Sequence, residues 1–223
     1  MSLDFKPVRS NLGKQVFEYM LENIYRLNIP PGSRLGVGEI ADQLGVSRSP
    51  VRDAFHLLMA EGLVEYGNTT GYQVIQIDDQ YIEDVFLVRR ALETAALRLT
   101  ADRPDKARLG DLRARWQQLH DDSMQLDTEG YEIHINEDTL FHQSLGEMSG
   151  NHVLSDMVAK IVSRGALIRR WVYANGVPDS HLTTMAEEHL EILDALLCGD
   201  TDRAIDLLER HLIKGQETAL KYL

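Results

Sequence analysis

The chain has 223 residues, 43% of them hydrophobic, with a net charge of −12 and a single cysteine. That is enough apolar material for one large core or two modest ones, while a lone Cys198 excludes an internal disulfide framework and fits a reducing compartment. No apolar run nears the ~20 residues of a membrane span, and the N-terminus lacks a signal-peptide h-region. A cytoplasmic protein with no membrane partner is expected.

The charge is unevenly spread. Residues 1–77 hold seven Lys/Arg against eight Asp/Glu, whereas residues 78–223 hold sixteen against twenty-seven. An acidic second half excludes indiscriminate adhesion to nucleic acid. Any DNA binding must rest on where a few arginines of the first half point.

Taken in chain order, Leu12, Val16, Tyr19, Met20, Ile24 and Leu27 fall at helical spacing and predict a first amphipathic helix. Pro30-Pro31-Gly32 ends it, because a prolyl pair cannot continue the hydrogen-bond ladder. A short second helix is predicted over residues 37–44, a tight turn at Gly45, and a third helix over residues 48–62 capped by Ser47. Val51, Ala54, Phe55 and Leu58 form its buried stripe. Residues 63–66 and 72–77 read as two strands around the turn Gly67-Asn68-Thr69-Thr70-Gly71. Together they describe a winged helix-turn-helix, a shape that places one helix in a DNA major groove.

After Asp78-Asp79 only amphipathic helices follow, predicted near 79–101, 104–126, 130–149, 151–174, 180–198 and 201–221. Their breaks carry Pro104, Gly150, Gly176 with Pro178, and Gly199, the usual stop and start chemistry of helices. The fold class expected is mostly α. It consists of an N-terminal winged helix-turn-helix over 1–77, with three helices and a two-stranded wing, then an all-α antiparallel bundle over 78–223.

In a helix-turn-helix the N-terminal end of the second helix meets the base edges. Ser47, Arg48, Ser49 and Arg52 sit at that end, and Arg48 and Arg52, four apart, share a face. A guanidinium binds guanine bidentately or holds a phosphate. Arg34, after the prolyl turn, is placed to reach the backbone, and the wing tip to Gly71 to reach the minor groove.

In the second half, Asp138 and His142 are four apart and can chelate one ion. His189 and His211 lie nine residues before and eleven after the Cys198-Gly199-Asp200 turn, so their rings can meet across two antiparallel helices. Three imidazoles and a carboxylate suit a divalent transition metal, zinc first and then nickel, manganese or iron. Taken singly, each histidine reads as a half-buried or capping residue. That reading is kept for His120, His152 and His181, while His134, one turn before Asp138, is a candidate for an outer position.

Residues 29–74 closely resemble the DNA-binding domain of the GntR family of bacterial transcription regulators. The resemblance runs through Pro31-Gly32, Leu35, Ile40-Ala41, Leu44-Gly45-Val46-Ser47-Arg48, Pro50-Val51-Arg52, Leu58 and Glu61-Gly62-Leu63-Val64. It implies Arg34, Arg48 and Arg52 as DNA contacts, with Gly71 at the wing. Two departures stand out: Phe55-His56 replaces a smaller Leu-x pair, and the wing lacks an arginine.

Residues 81–221 resemble the FCD ligand-binding domain of the FadR-type subfamily. The matching stretches are residues 88–93, Asp138-x-x-Phe141-His142, Gly150-Asn151, residues 189–195, Gly199-Asp200 and His211. In metal-binding members one Asp and three His are ligands, and Asp138, His142, His189 and His211 fill all four positions. The resemblance further implies a homodimer on operator DNA and a small organic acid effector held at the metal with help from an arginine. Arg89 is the candidate for that arginine, or else for a salt bridge with Glu93; Arg164, Arg169 and Arg170 rank behind it. Trp171 and Tyr173 read as core.

The reading is an effector-controlled repressor. A metal sensor, with the metal itself as signal, uses the same ligands. A metalloenzyme would need a general base, for which Glu137, Glu187 and Glu188 are near in sequence but no motif assigns one.

Overall fold

The structure is a computed structural model that describes residues 11–122, 128–178 and 180–223. The chain divides into two compact units, residues up to 77 and residues from 78 onward.

The first unit opens with α1, Leu12–Tyr25, whose Val16, Met20 and Ile24 face a core shared with later elements. Strand β1, Arg34–Leu35, leads into α2, Val37–Leu44. Gly45 ends that helix at φ +65°, and Val46 donates its N–H back to the Ala41 carbonyl at 3.0 Å. Such a left-handed residue with no side chain reverses the chain within a turn. Helix α3, Arg48–Glu61, then buries Val51, Ala54, Phe55 and Leu58 against α1.

Strands β2, Val64–Gly67, and β3, Gly71–Val74, form the wing hairpin, with Tyr66 opposite Tyr72 and Gly67 opposite Gly71. A Cβ at Gly67 would stand 2.3 Å from the Thr70 hydroxyl, so a larger residue there would require that side chain to turn away. The sheet has three antiparallel strands in the order β1-β3-β2, not the two expected. The added strand is a two-residue segment that pairs Arg34 with Gln73 and Leu35 with Tyr72. Two residues carry no alternation for a sequence pattern to register.

The second unit contains, among the described residues, six helices and no strand. They are α4 (Asp79–Asp102), α5 (Lys106–Asp122), α6 (Thr128–Met148), α7 (His152–Ala174), α8 (Ser180–Cys198) and α9 (Thr201–Lys221). The end of the helix expected over 104–126 falls partly outside the described residues. Asp78, Asn151 and Asp200 cap α4, α7 and α9 by accepting N–H bonds from Tyr81, Leu154 and Arg203 at 2.8, 3.1 and 3.1 Å. Each cap satisfies an orphan donor of a first turn. Ser47 stands at the corresponding place on α3 in extended conformation, but its side chain makes no capping bond. The expected side-chain cap is therefore absent, and the hydroxyl stays exposed on that helix end.

Within the bundle α4 packs on α6, α7 and α9, while α8 packs on α5 and α9. Leu97, Trp116, Phe141, Leu145, Leu193 and Leu208 sit near its centre, all fully buried. Among the described residues no helix is long and apolar enough to cross a membrane.

Gly45 meets nothing within 4 Å of a built Cβ, so its substitution tests backbone conformation alone. Gly45→Ala is expected to lower the stability of the first unit by about 1–2 kcal/mol, and Gly45→Asn by less. Denaturant unfolding of the two variants measures this.

Candidate functional site

Four side chains from three helices converge in the bundle. Asp138 and His142 come from successive turns of α6, His189 from α8 and His211 from α9. One donor atom from each lies within 4.8 Å of all the others, and all four residues are buried. Asp138 Oδ1 stands 3.6 Å from His142 Nε2, 3.5 Å from His189 Nε2 and 4.0 Å from His211 Nε2.

The far nitrogen of every ring is tied down. His142 Nδ1–H donates to Glu93 Oε2, in a buried contact between α6 and α4. His189 Nδ1–H donates to the Met185 carbonyl one turn back at 2.7 Å. His211 Nδ1–H donates to Glu188 Oε2 at 2.8 Å. These acceptors select the tautomer in which each Nε2 carries a lone pair. Trp116 of α5 stacks flat on His189, centroids 3.9 Å apart at 6°, and Phe141 meets the same ring edge-on at 4.4 Å.

Burial favours the neutral form of all three rings. Burial pushes His189 well below the ordinary imidazole range, and burial outweighs Glu188 to bring His211 down to about 4. Burial also lowers His142 despite the opposing pull of Glu93. Glu93 itself is driven up by burial, but Arg89 and His142 hold it down at about 2.

Neutral rings with Nδ1 protonated leave His142 Nε2 and His211 Nε2 facing each other at 3.3 Å with lone pair against lone pair. His189 Nε2 and Asp138 Oδ1 are buried without a hydrogen-bond partner. Buried acceptors left open in this way are costly. Four acceptors aimed at one point fit a cation, and imidazole with carboxylate fits a divalent transition ion.

A cavity adjoins the cluster, bounded by Asp138, His211 and Glu188 together with Arg89, Arg169 and Lys214. Its volume is about 40 Å³, room for about three waters. Arg89 is 1% exposed and donates Nε–H to Glu93 Oε1 at 2.7 Å. Its NH2 is buried without a partner. Of the two sequence readings of Arg89, the structure contains the salt bridge with Glu93, and the residue also lines the cavity. A Cβ at Gly165 would stand 3.0 Å from Arg89 NH1, so a residue without a side chain makes room for the guanidinium on α7.

Arg169 forms an ion pair with Asp138 Oδ2. Arg170 instead turns to Glu132, 3.1 Å away. Tyr173, expected in the core, packs against it and also lines the cavity. His181 lines the cavity too, a place its isolated position in the sequence did not signal. His134 is buried on α6, and His120 lies 3.6 Å from Glu187 near the surface. Of the remaining acidic candidates, Glu137 pairs with Arg115.

The parts that sequence spacing missed are the anchors: Glu93 on His142, Glu188 on His211, and Gly165 under Arg89. Spacing reveals neighbours on one helix. These pairs lie on different helices, or on a face shared with a distant one.

In the first unit Arg48, Ser49 and Arg52 are exposed on the first turns of α3, and Arg34 is exposed on β1. No ion pair among the described residues holds Arg34, Arg48 or Arg52. Arg48 lies across α2, its NH2 3.5 Å from where a Cβ at Gly38 would be. Gly71 opens β3 at φ +71°. His56, one turn beyond Arg52, meets the Tyr72 hydroxyl at 3.4 Å.

Comparison with known proteins matches residues 12–74 to the family described as bacterial regulatory proteins, gntR family, and residues 84–214 to the FCD domain. An HTH-type transcriptional regulator from an unstable DNA locus of Streptomyces ambofaciens is 29% identical over 199 residues, 89% of this chain and 81% of that protein. The HTH-type transcriptional repressor RspR of Escherichia coli is 24% identical over 207 residues, 93% and 88% of the two chains. Among solved structures, E. coli McbR/YncC shares the fold with a TM-score of 0.73 at 22% identity, covering 94% of this chain and 97% of that one.

Glu93→Gln leaves Arg89 without its buried counter-charge and is expected to destabilise the second unit by about 3–5 kcal/mol. Arg113→Ala, which breaks the exposed 2.5 Å pair with Asp194, is expected to cost under about 1 kcal/mol. Urea unfolding of both variants checks the contrast.

Proposed function

Because the chain belongs to the GntR family of bacterial regulatory proteins and carries an FCD domain, it is a DNA-binding regulator of transcription and not an enzyme, and we propose a finer reading. It is a repressor, acting as a homodimer on a palindromic operator. A small carboxylate effector, held at a metal in the second unit, sets its affinity for that operator. The observation that carries this is the convergence of Asp138, His142, His189 and His211 beside a cavity bordered by cationic side chains.

A bound divalent transition ion that accepts more than these four ligands would offer its remaining coordination positions to a carboxylate oxygen. Asp138 and the three Nε2 atoms hold the ion. Glu93, the Met185 carbonyl and Glu188 keep the rings turned toward it. Arg89 meets the effector's charge from the far side with its unpartnered NH2. The pairing of a metal with cationic side chains suits a small acid: a hydroxy acid, dicarboxylate, sugar acid or amino acid.

On the operator, Arg48 and Arg52 read guanine edges or clamp phosphates from the start of α3, with Ser47 and Ser49 beside them. Arg34 holds the backbone, and Gly71 lets the wing approach it closely. Half-sites lie about one helical turn apart. An effector that binds one DNA-affinity state better than the other shifts the population between them.

Burial of all four residues favours a second reading, in which the metal is itself the signal. One panel separates the two. Chelator-stripped and metal-loaded protein are followed by thermal shift with small carboxylates, then by operator binding. Stripping is expected to lower the midpoint, and an effector at 100 times its Kd to add about 2.7 kcal/mol to the loaded form alone. Metal alone changing DNA affinity, with every acid inert, establishes the sensor. Indifference to metal overturns both readings.

For the DNA contacts, Arg48→Ala and Arg52→Ala are each expected to weaken operator binding by about 1–3 kcal/mol. Fluorescence anisotropy at fixed salt measures it, and unchanged affinity in both variants overturns the assignment.

A further inference from the structure

Arg169 presents a problem of charge. Its guanidinium, on α7, pairs with Asp138 Oδ2, while Oδ1 of the same carboxylate faces the three Nε2 atoms at 3.5–4.0 Å. The Arg169 side chain is 13% exposed and that of Asp138 1%. Glu93, the other carboxylate buried here, is already committed to Arg89 and His142. In this arrangement Arg169 is the cation that sits against Asp138. A divalent ion among the four acceptors would lie on the opposite oxygen of that carboxylate. Two positive charges would then share one buried anion, with Arg89 also near enough to repel the Arg169 guanidinium.

We infer that Arg169 is a built-in stand-in for the metal: it neutralises Asp138 in the metal-free protein and competes with the ion for that carboxylate. Its role is thus opposite to that of Glu93 and Glu188, which support metal binding by orienting ligands. Arg169 stabilises the empty site and weakens the loaded one. The competition gives the pocket two charge arrangements. With Asp138 given up to a metal, Arg169 lies free at the cavity wall beside the unpartnered NH2 of Arg89. An anion site then exists that the metal-free pocket lacks, so metal loading becomes a precondition for binding a carboxylate.

The inference rests on the proposed metal site, and its sign distinguishes it from a supporting role. Zinc affinity is measured by competition with a chromophoric chelator on the full chain, for wild type, R169Q and R169K. Thermal midpoints are taken for each protein with and without zinc. A like charge within about 4–6 Å moves an equilibrium by one to three decades, so R169Q is expected to bind zinc about tenfold tighter than wild type or better. R169K, which keeps a cation on a side chain of shorter reach, is expected to fall between them.

The metal-free midpoint of R169Q should drop, because Asp138 is left uncompensated, and the gain on adding zinc should exceed that of wild type. If R169Q is too unstable without metal to titrate, R169K against wild type carries the same sign. Wild type that binds zinc while the variants bind equally or more weakly overturns the inference and leaves the metal site standing. Wild type that binds no zinc removes the site itself.

Discussion

Four buried acceptors directed at one point constrain the second unit more than any other contact. Three neutral imidazoles and a carboxylate repel one another and gain nothing from apolar surroundings. The arrangement persists because each ring is anchored at its far nitrogen, and because positive charge is supplied at the rim by Arg169. Every helix of the bundle takes part. Helix α4 brings Glu93 and Arg89, α5 the Trp116 stack, α6 Asp138 and His142, α7 Arg169 and Gly165, α8 His189 with its carbonyl and Glu188, and α9 His211. A shift of any one helix by a turn would break an anchor. The packing of the bundle and the geometry of its polar centre are thus one problem.

The two units use arginine in opposite ways. In the second, guanidinium groups are spent internally: Arg89 on Glu93, Arg169 on Asp138, Arg170 on Glu132, Arg113 on Asp194. In the first, Arg34, Arg48 and Arg52 stand exposed at a strand and at the start of a helix, with no carboxylate holding them among the described residues. This resolves the apparent conflict between an acidic chain and a DNA-binding family. Net charge governs non-specific attraction, whereas a helix-turn-helix needs a few unpaired donors at one helix end. Arg34, Arg48 and Arg52, the donors proposed for that contact, are placed by tight turns. Gly45 sets the angle of α3 relative to α2, and the Gly67–Gly71 hairpin sets the wing.

Much of this was legible beforehand because it is local. Among the described residues helical periodicity located the helices to within a few residues, since burying one stripe depends on a 3.6-residue repeat that needs no knowledge of partners. Gly45, Gly150 and Gly199, all at positive φ, were readable as helix ends for the same reason. The four residues of the buried Asp/His cluster stood out through a family pattern and one i, i+4 pair. The third strand did not, because Arg34–Leu35 is a strand only through Gln73 and Tyr72, nearly forty positions away. Nor did the bare hydroxyl of Ser47, since the residue type favours a cap that the local geometry leaves unmade.

By itself, then, the sequence determined the winged helix-turn-helix, the run of amphipathic helices, and which residue types are equipped to hold a metal or read DNA. Only the tertiary structure decided what each of those residues is paired with. Arg89 illustrates the division: its spacing from Glu93 made a salt bridge readable, while the buried, open NH2 and its resting place over Gly165 depend on how α4 meets α7. Asp138 illustrates it further, with one oxygen on Arg169 of α7 and the other toward rings on α6, α8 and α9. Periodicity and residue chemistry are properties of a segment. Pairing, burial and charge compensation are properties of the space between segments, which comes into being only when the helices pack.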